Sequence, residues 1–129
     1  MYGIIATWRM ALEGISKANS MLKNNESAAN SIEEAIKAVE NFEYYKSVGY
    51  GGLPNEEMEV ELDAAFMDGD TLEFGCVGGV KDFANPVSIA RSLMHYDANN
   101  FLAGQGAEKY ASRHGFERKT MLTDRAKIH

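Results

Sequence analysis

A chain of 129 residues with 45% hydrophobic, 25% charged and 10% aromatic side chains has the make-up of one globular domain, long enough to bury a core without staples. Its formal charge of −6, from 13 Lys plus Arg against 19 Asp plus Glu, includes no basic block able to neutralise a run of phosphates, which argues against nucleic acid as a partner. No apolar run approaches the roughly 20 residues of a membrane helix, and the start lacks a signal-peptide pattern. Cys76 is the only cysteine, which excludes an internal disulfide, so a cytoplasmic protein without membrane partners is expected.

Tyr2 to Thr7 is short, apolar and compatible with a strand. Thr7 can cap a helix from about Arg9 to Lys23, in which Ala11, Ile15, Ala18 and Leu22 recur at helical spacing. After the polar break Asn24-Asn25-Glu26, Ser27 is the natural cap of a second helix with Ile32, Ala35, Ile36, Val39 and Phe42 on its inner face. The run Ser47-Val48-Gly49-Tyr50-Gly51-Gly52-Leu53-Pro54-Asn55 is too rich in glycine for a spacer, and predicts a loop that bends tightly or approaches something closely. Val60, Leu62, Ala64 and Phe66 then alternate with the opposite face, Asp68-Gly69 signals a turn, and Leu72, Phe74 and Cys76 alternate again, predicting a hairpin over 60–80. Asn85 can cap a helix with Pro86 in its first turn and Ile89, Leu93 and Tyr96 facing inward. A short strand over Asn100 to Ala103 and a helix over Gly104 to His114, stopped by Gly115, complete the order β-α-α-β-β-α-β-α, an α/β (α+β) class. Phe116 to His129 is basic, has no stop signal and reads as a linker.

Few of these features carry chemistry unaided. The glycine loop precedes a strand instead of opening a helix, and no Lys-Ser or Lys-Thr follows it, so a phosphate cradle is a poor fit. Ser47 has no His or Asp at a nucleophile-elbow spacing and reads first as a loop hydroxyl. Trp8, the lone tryptophan, sits where a strand would hand over to a helix; a cleft-facing role and a core role are equally open. Asp68 is explained by turn chemistry, and Asp63 lies mid-strand. His114 suits a helix C-terminus, and His95, His114, His129 and Cys76 show no ligand spacing, so no metal is expected.

Taken together and in order, Ser47-Val48-Gly49-Tyr50-Gly51-Gly52, Leu62-Asp63-Ala64-Ala65, Met67-Asp68-Gly69, Gly75-Cys76-Val77-Gly78 and Asn85-Pro86-Val87-Ser88-Ile89-Ala90-Arg91 resemble the α-subunit of the glycosylasparaginases, the N4-(β-N-acetylglucosaminyl)-L-asparaginases of the N-terminal-nucleophile hydrolase superfamily. The resemblance extends from Thr7-Trp8 to Gly104-Gln105-Gly106-Ala107-Glu108. Plant-type asparaginases and isoaspartyl peptidases share several pieces but carry an Asn-Ala-Gly loop, so the Ser-Val-Gly-Tyr-Gly-Gly version favours the glycosylasparaginase branch.

The resemblance implies a four-layer αββα sandwich, cut from one precursor immediately before a threonine that becomes the nucleophile at the start of a β-subunit and uses its own α-amine as base. It implies no cofactor, and a dimer of αβ units acting on a glycosylated asparagine. The His-Asp-Thr cleavage motif is absent here, so this chain alone is expected to be inactive: residues 1–115 would form the α-subunit portion and residues 116–129 the start of the linker. Carried over by position, Trp8 would line the substrate pocket, Ser47 would support the nucleophile, and Gly49, Gly51 and Gly52 would shape the loop beside it. The family's Asp-Gly before that serine is replaced by Tyr45-Lys46.

Overall fold

The computed structural model describes residues 1–128. Its elements are α1 (Leu12–Lys23), α2 (Ala28–Glu40), β1 (Leu62–Met67), β2 (Phe74–Val80), α3 (Pro86–Leu93), β3 (Phe101–Ala103) and α4 (Gly104–Arg113), with 3-10 turns at Arg9–Ala11 and Ala126–Ile128. The expected first strand does not form. A strand is held by ladder hydrogen bonds to a neighbour, and the sheet of described residues, ordered β1-β2-β3, offers none to Tyr2–Thr7. Nor does Thr7 cap a helix: the chain enters through the turn at Arg9–Ala11, and neither N-cap residue there, Trp8 or Ala11, supplies a side-chain bond.

The second helix starts as its sequence dictates, with the Asn30 N–H donating to Ser27 Oγ at 3.1 Å. Gly14 of α1 lies against the Ala35 backbone of α2 so closely that a Cβ would meet the Ala35 carbonyl, and Lys17 spans the pair to Glu34 at 2.6 Å. The hairpin pairs antiparallel, Ala64 with Val77 and Phe66 with Gly75, while β3 lies parallel to β2 with Leu102 beside Val77. The register shifts between Leu62 and Ala64, where Gly79 at φ 57° donates its N–H to Asp63 Oδ1 at 2.8 Å, so Asp63 holds the bulge. Asp68 Oδ1 accepts from the Asp70 and Thr71 N–H groups, which is turn chemistry.

One face of the sheet is dry. Leu62, Phe66, Val77 and Val80 meet Val87, Ile89, Ala90 and Leu93 of α3 and Ala107, Tyr110 and Ala111 of α4. On the opposite face Ala65, Cys76 and Phe101 stand in one row across the three strands, with Met67 beside Phe74 in the next. Phe101 is 60% and Met67 59% exposed. On β2, then, Gly75 and Val77 face the core while Phe74, and Leu72 in the turn before the strand, stay in solvent. Tyr96 packs edge-on against Tyr110 at 4.9 Å instead of entering the core.

Phe116–Ile128 runs back along the body. Ala84 donates to the Glu117 carbonyl, Lys119 donates to the Asp82 carbonyl, and Met121 is wholly buried in the core. His129 lies outside the described residues.

Gly75 is where α3 rests on the sheet: a Cβ there would be driven into the Ala90 carbonyl and within 2.8 Å of the Met94 nitrogen, both backbone atoms. Gly75→Ala is expected to destabilise the fold by about 3 kcal/mol or more, read as a lowered urea midpoint. An unchanged midpoint would mean that α3 shifts without cost.

Candidate functional site

The glycine loop begins where α2 ends. Tyr50 donates its N–H to the Glu40 carbonyl at 2.7 Å, Leu53 donates to the Lys46 carbonyl at 2.8 Å, and Gly51 donates to the Met121 carbonyl at 2.9 Å. Gly49, at φ 64°, passes the end of α2 so closely that a Cβ would occupy the Glu40 carbonyl. The tight bend and close approach expected from the glycine spacing are both present. Gly49, Gly51 and Gly52 are buried beneath the loop, whereas Ser47 stands exposed at its start.

Trp8 lies elsewhere on the surface, 72% exposed. It borders a groove of about 790 Å³ between the Met1–Trp8 segment and the α1–α2 pair, lined by Ala11, Ile15, Ile32, Ile36, Val39 and Val48 among others. The residue next to Ser47 therefore shares a groove with Trp8, but Ser47 and the glycines do not line it. The helix faces expected to be buried are largely the walls of this groove, and Ile32 remains 42% exposed. No carboxylate, imidazole or lysine lines it among the described residues; it can pack and orient an apolar group, and the indole can donate one hydrogen bond. Also among the described residues, no three His, Cys, Asp or Glu side chains gather as a metal site, and no helix is long and apolar enough to cross a membrane.

Sequence reasoning missed Glu40. It is only 3% exposed, and its carboxylate joins two helices: Oε1 accepts the Val87 N–H at 3.0 Å and Oε2 accepts Asn85 Nδ2 at 3.0 Å. Asn85 is the N-cap of α3 yet makes no side-chain cap bond, so the carboxylate from α2 caps α3 in its place. The available signal was an acidic residue four positions after Ile36, on the face that should be apolar. Burial pushes the Glu40 carboxyl up to about 7, against the pull of Asn85, the Val87 N–H and Lys37, with Glu33 adding to the rise. Glu33 is itself tied to Ser88 and Arg91 of α3. Glu34, held between Lys17 and Lys37, lies the other way, lowered to about 2.

A mixed α/β chain with a glycine loop pinned to a helix end, and an apolar groove bordered by a residue of that loop, matches a known class of amidohydrolases in sequence. The profile of the family described as asparaginase matches residues 5–128, and the chain belongs to that family. An isoaspartyl peptidase/L-asparaginase of Rattus norvegicus is 38% identical over 124 residues, covering 91% of this chain and 37% of the relative. An N(4)-(β-N-acetylglucosaminyl)-L-asparaginase of Elizabethkingia miricola is 32% identical over 120 residues, covering 93% of this chain and 35% of the relative. A putative N(4)-(β-N-acetylglucosaminyl)-L-asparaginase of Drosophila melanogaster is 30% identical over 128 residues, covering 96% and 32%. The chain thus spans about a third of the length of these curated relatives.

The raised Glu40 carboxyl makes stability fall with pH. The folded state holds this proton more tightly than the unfolded state, whose value is near 4.5, so the contribution is complete below that pH and is lost as pH rises through about 7. Denaturant unfolding should show a loss on the order of 2 kcal/mol between pH 5 and pH 8, and Glu40→Gln should flatten that slope. A slope unchanged by the substitution would assign the effect to other groups.

Proposed function

We propose that this chain is the α-subunit part of an amidohydrolase that cleaves the side-chain amide of N-glycosylated asparagine, in a four-layer αββα arrangement completed by its own β-subunit. Residues 1–115 would supply one helical layer and part of a sheet, and residues 116–129 would lead toward the self-cleavage point. The observation that carries this reading is the two-faced sheet: α3 and α4 cover one side, and Phe101, Met67 and Phe74 stand uncovered on the other. Apolar sheet faces are stable when packed against another layer. The open α1–α2 groove and the free edge of β1 agree with further strands supplied by a second chain.

In this reading the reaction is covalent catalysis. The hydroxyl of the β-subunit's first threonine attacks the amide carbonyl while its α-amine accepts the hydroxyl proton. Collapse of the tetrahedral intermediate forms an ester and expels the glycosylamine, which receives that proton. Water then hydrolyses the ester to release aspartate, and no metal or organic cofactor takes part. Trp8 would form an apolar wall of the pocket, and Ser47, on a loop pinned by backbone bonds, would orient the threonine. Two αβ units would pair into a heterotetramer, in the cytoplasm.

A second substrate class has its own support. The rat relative at 38% identity is named an isoaspartyl peptidase/L-asparaginase, and the same threonine chemistry would cleave a β-aspartyl peptide or free asparagine. A non-catalytic assembly module is the remaining alternative.

Intact mass and N-terminal sequencing of the protein purified from its source should reveal a second chain beginning with threonine. That material should release aspartate from N4-(N-acetylglucosaminyl)-asparagine faster than from a β-aspartyl dipeptide, and Trp8→Ala should raise KM about tenfold with kcat little changed. The opposite substrate preference would establish the second class; a lone chain of 14.2 kDa without activity would establish the module.

A further inference from the structure

Glu40 links the glycine loop to α3 through both ends of one residue. Its carbonyl receives the Tyr50 N–H at 2.7 Å and sits against Gly49, while its carboxylate receives Val87 N–H and Asn85 Nδ2. Asn85 Nδ2 also donates to Asn41 Oδ1 at 2.9 Å, which ties the C-cap of α2 to the N-cap of α3. The end of α2, the start of α3 and the glycine loop therefore meet at one nearly dry residue, its carboxylate holding α3 and its backbone carbonyl holding the loop that carries Ser47.

We propose that Glu40 is a positioning residue, which sets where Ser47 stands by locking the end of α2 onto the start of α3. The inference rests on the reading that the Ser47 loop flanks the reaction centre. Glu40 does not line the groove, and its hydrogen bonds go to Tyr50, Asn85 and Val87, so it acts through the backbone. A buried carboxylate between two N–H donors is geometrically exacting. Asp is one methylene too short to reach both donors from the α2 backbone. Gln keeps the volume and one acceptor, but turns an N–H₂ group toward Asn85 Nδ2 and leaves two donors facing each other.

The lock also responds to protons. The groups that bear on it are Lys37 and Glu33 of α2, with Arg91 of α3 paired to Glu33. Once Glu40 is protonated it keeps one strong acceptor for two donors, so the hold on α3 loosens as pH falls below neutrality. This effect on the loop is separate from global stability, which rises in the same direction because the buried charge is removed.

The test uses the protein as purified, with any second chain in place, and reads amide hydrogen exchange beside steady-state kinetics. Glu40→Gln should speed exchange at Tyr50 and Val87 about tenfold while exchange in β1 and β2 stays as in the parent. In the parent, protection at Tyr50 should rise with a midpoint near neutral pH after correction for intrinsic exchange, and that dependence should vanish in the variant. Asn85→Ala, which cuts the tie from the α3 side, should reproduce the Tyr50 effect and keeps the test open if Glu40→Gln fails to fold. Where the protein cleaves either aspartyl amide, both variants should lower kcat about tenfold with KM unchanged. Unchanged Tyr50 exchange in Glu40→Gln or Asn85→Ala would overturn the proposal, as would faster exchange with unchanged kcat. If the parent cleaves neither substrate while Tyr50 exchange responds as stated, the amidohydrolase reading fails and the Glu40 lock on the loop stands.

Discussion

Backbone meets backbone at the joints of this chain, and the arrangement depends on that close approach. Gly14 lets α1 lie on the Ala35 segment of α2, Gly75 lets α3 settle on β2, and Gly49 lets the loop turn against the end of α2. At each joint the missing Cβ leaves room that any other residue would fill with an atom pressed into a carbonyl. Contacts of this kind leave little freedom to slide, because side chains can change rotamer and backbone carbonyls cannot. The α1–α2 pair is further fixed to α3 by polar ties at Glu33 and Glu40, where a purely apolar junction would have fixed distance but not register.

The same constraint explains why burial divides so sharply. Around Gly75 the helices cover one sheet face completely, and Leu93, Ile89 and Ala90 are dry. Away from those joints equally apolar side chains are only partly covered or exposed, on the far sheet face and along the α1–α2 groove. The helical faces with Ile15, Ile32, Ile36 and Val39 have the periodicity of core helices.

Legibility followed locality. The Ser27 cap, the hairpin over 60–80, the α3 start at Asn85-Pro86 and the Gly115 stop depend on residues a few positions apart, and all are where the sequence places them. Tyr2–Thr7 forms no strand although its residues favour one, because apolar β-compatible residues declare a preference, while a strand needs a partner to pair with. The Asn85 cap was right in position and wrong in chemistry: the acceptor that satisfies the helix start comes from Glu40, 47 residues before Val87. No window along the chain shows such a pairing. At the candidate site, the loop's bend was readable from Gly49 and Gly51, whereas the shared groove of Trp8 and Val48 exists only in three dimensions.

This division between local and distant determinants bears on the Tyr45-Lys46 pair that leads into Ser47. Lys46 contributes its carbonyl to the loop, accepting the Leu53 N–H, and that bond is indifferent to its side chain. Tyr45 contributes a ring packed on Phe42 at 4.7 Å, outside the sequence of backbone bonds that runs from Glu40 to Tyr50 and from Gly51 to Met121. Lys119 lies over the Tyr50 ring at 3.9 Å and Arg125 over Tyr44 at 4.7 Å, so the segment after Phe116 presses on the loop with cations as well as with Met121. The loop path is thus set by glycines, a helix end and the returning segment, and a change of side chain at 45 and 46 leaves each of those supports in place.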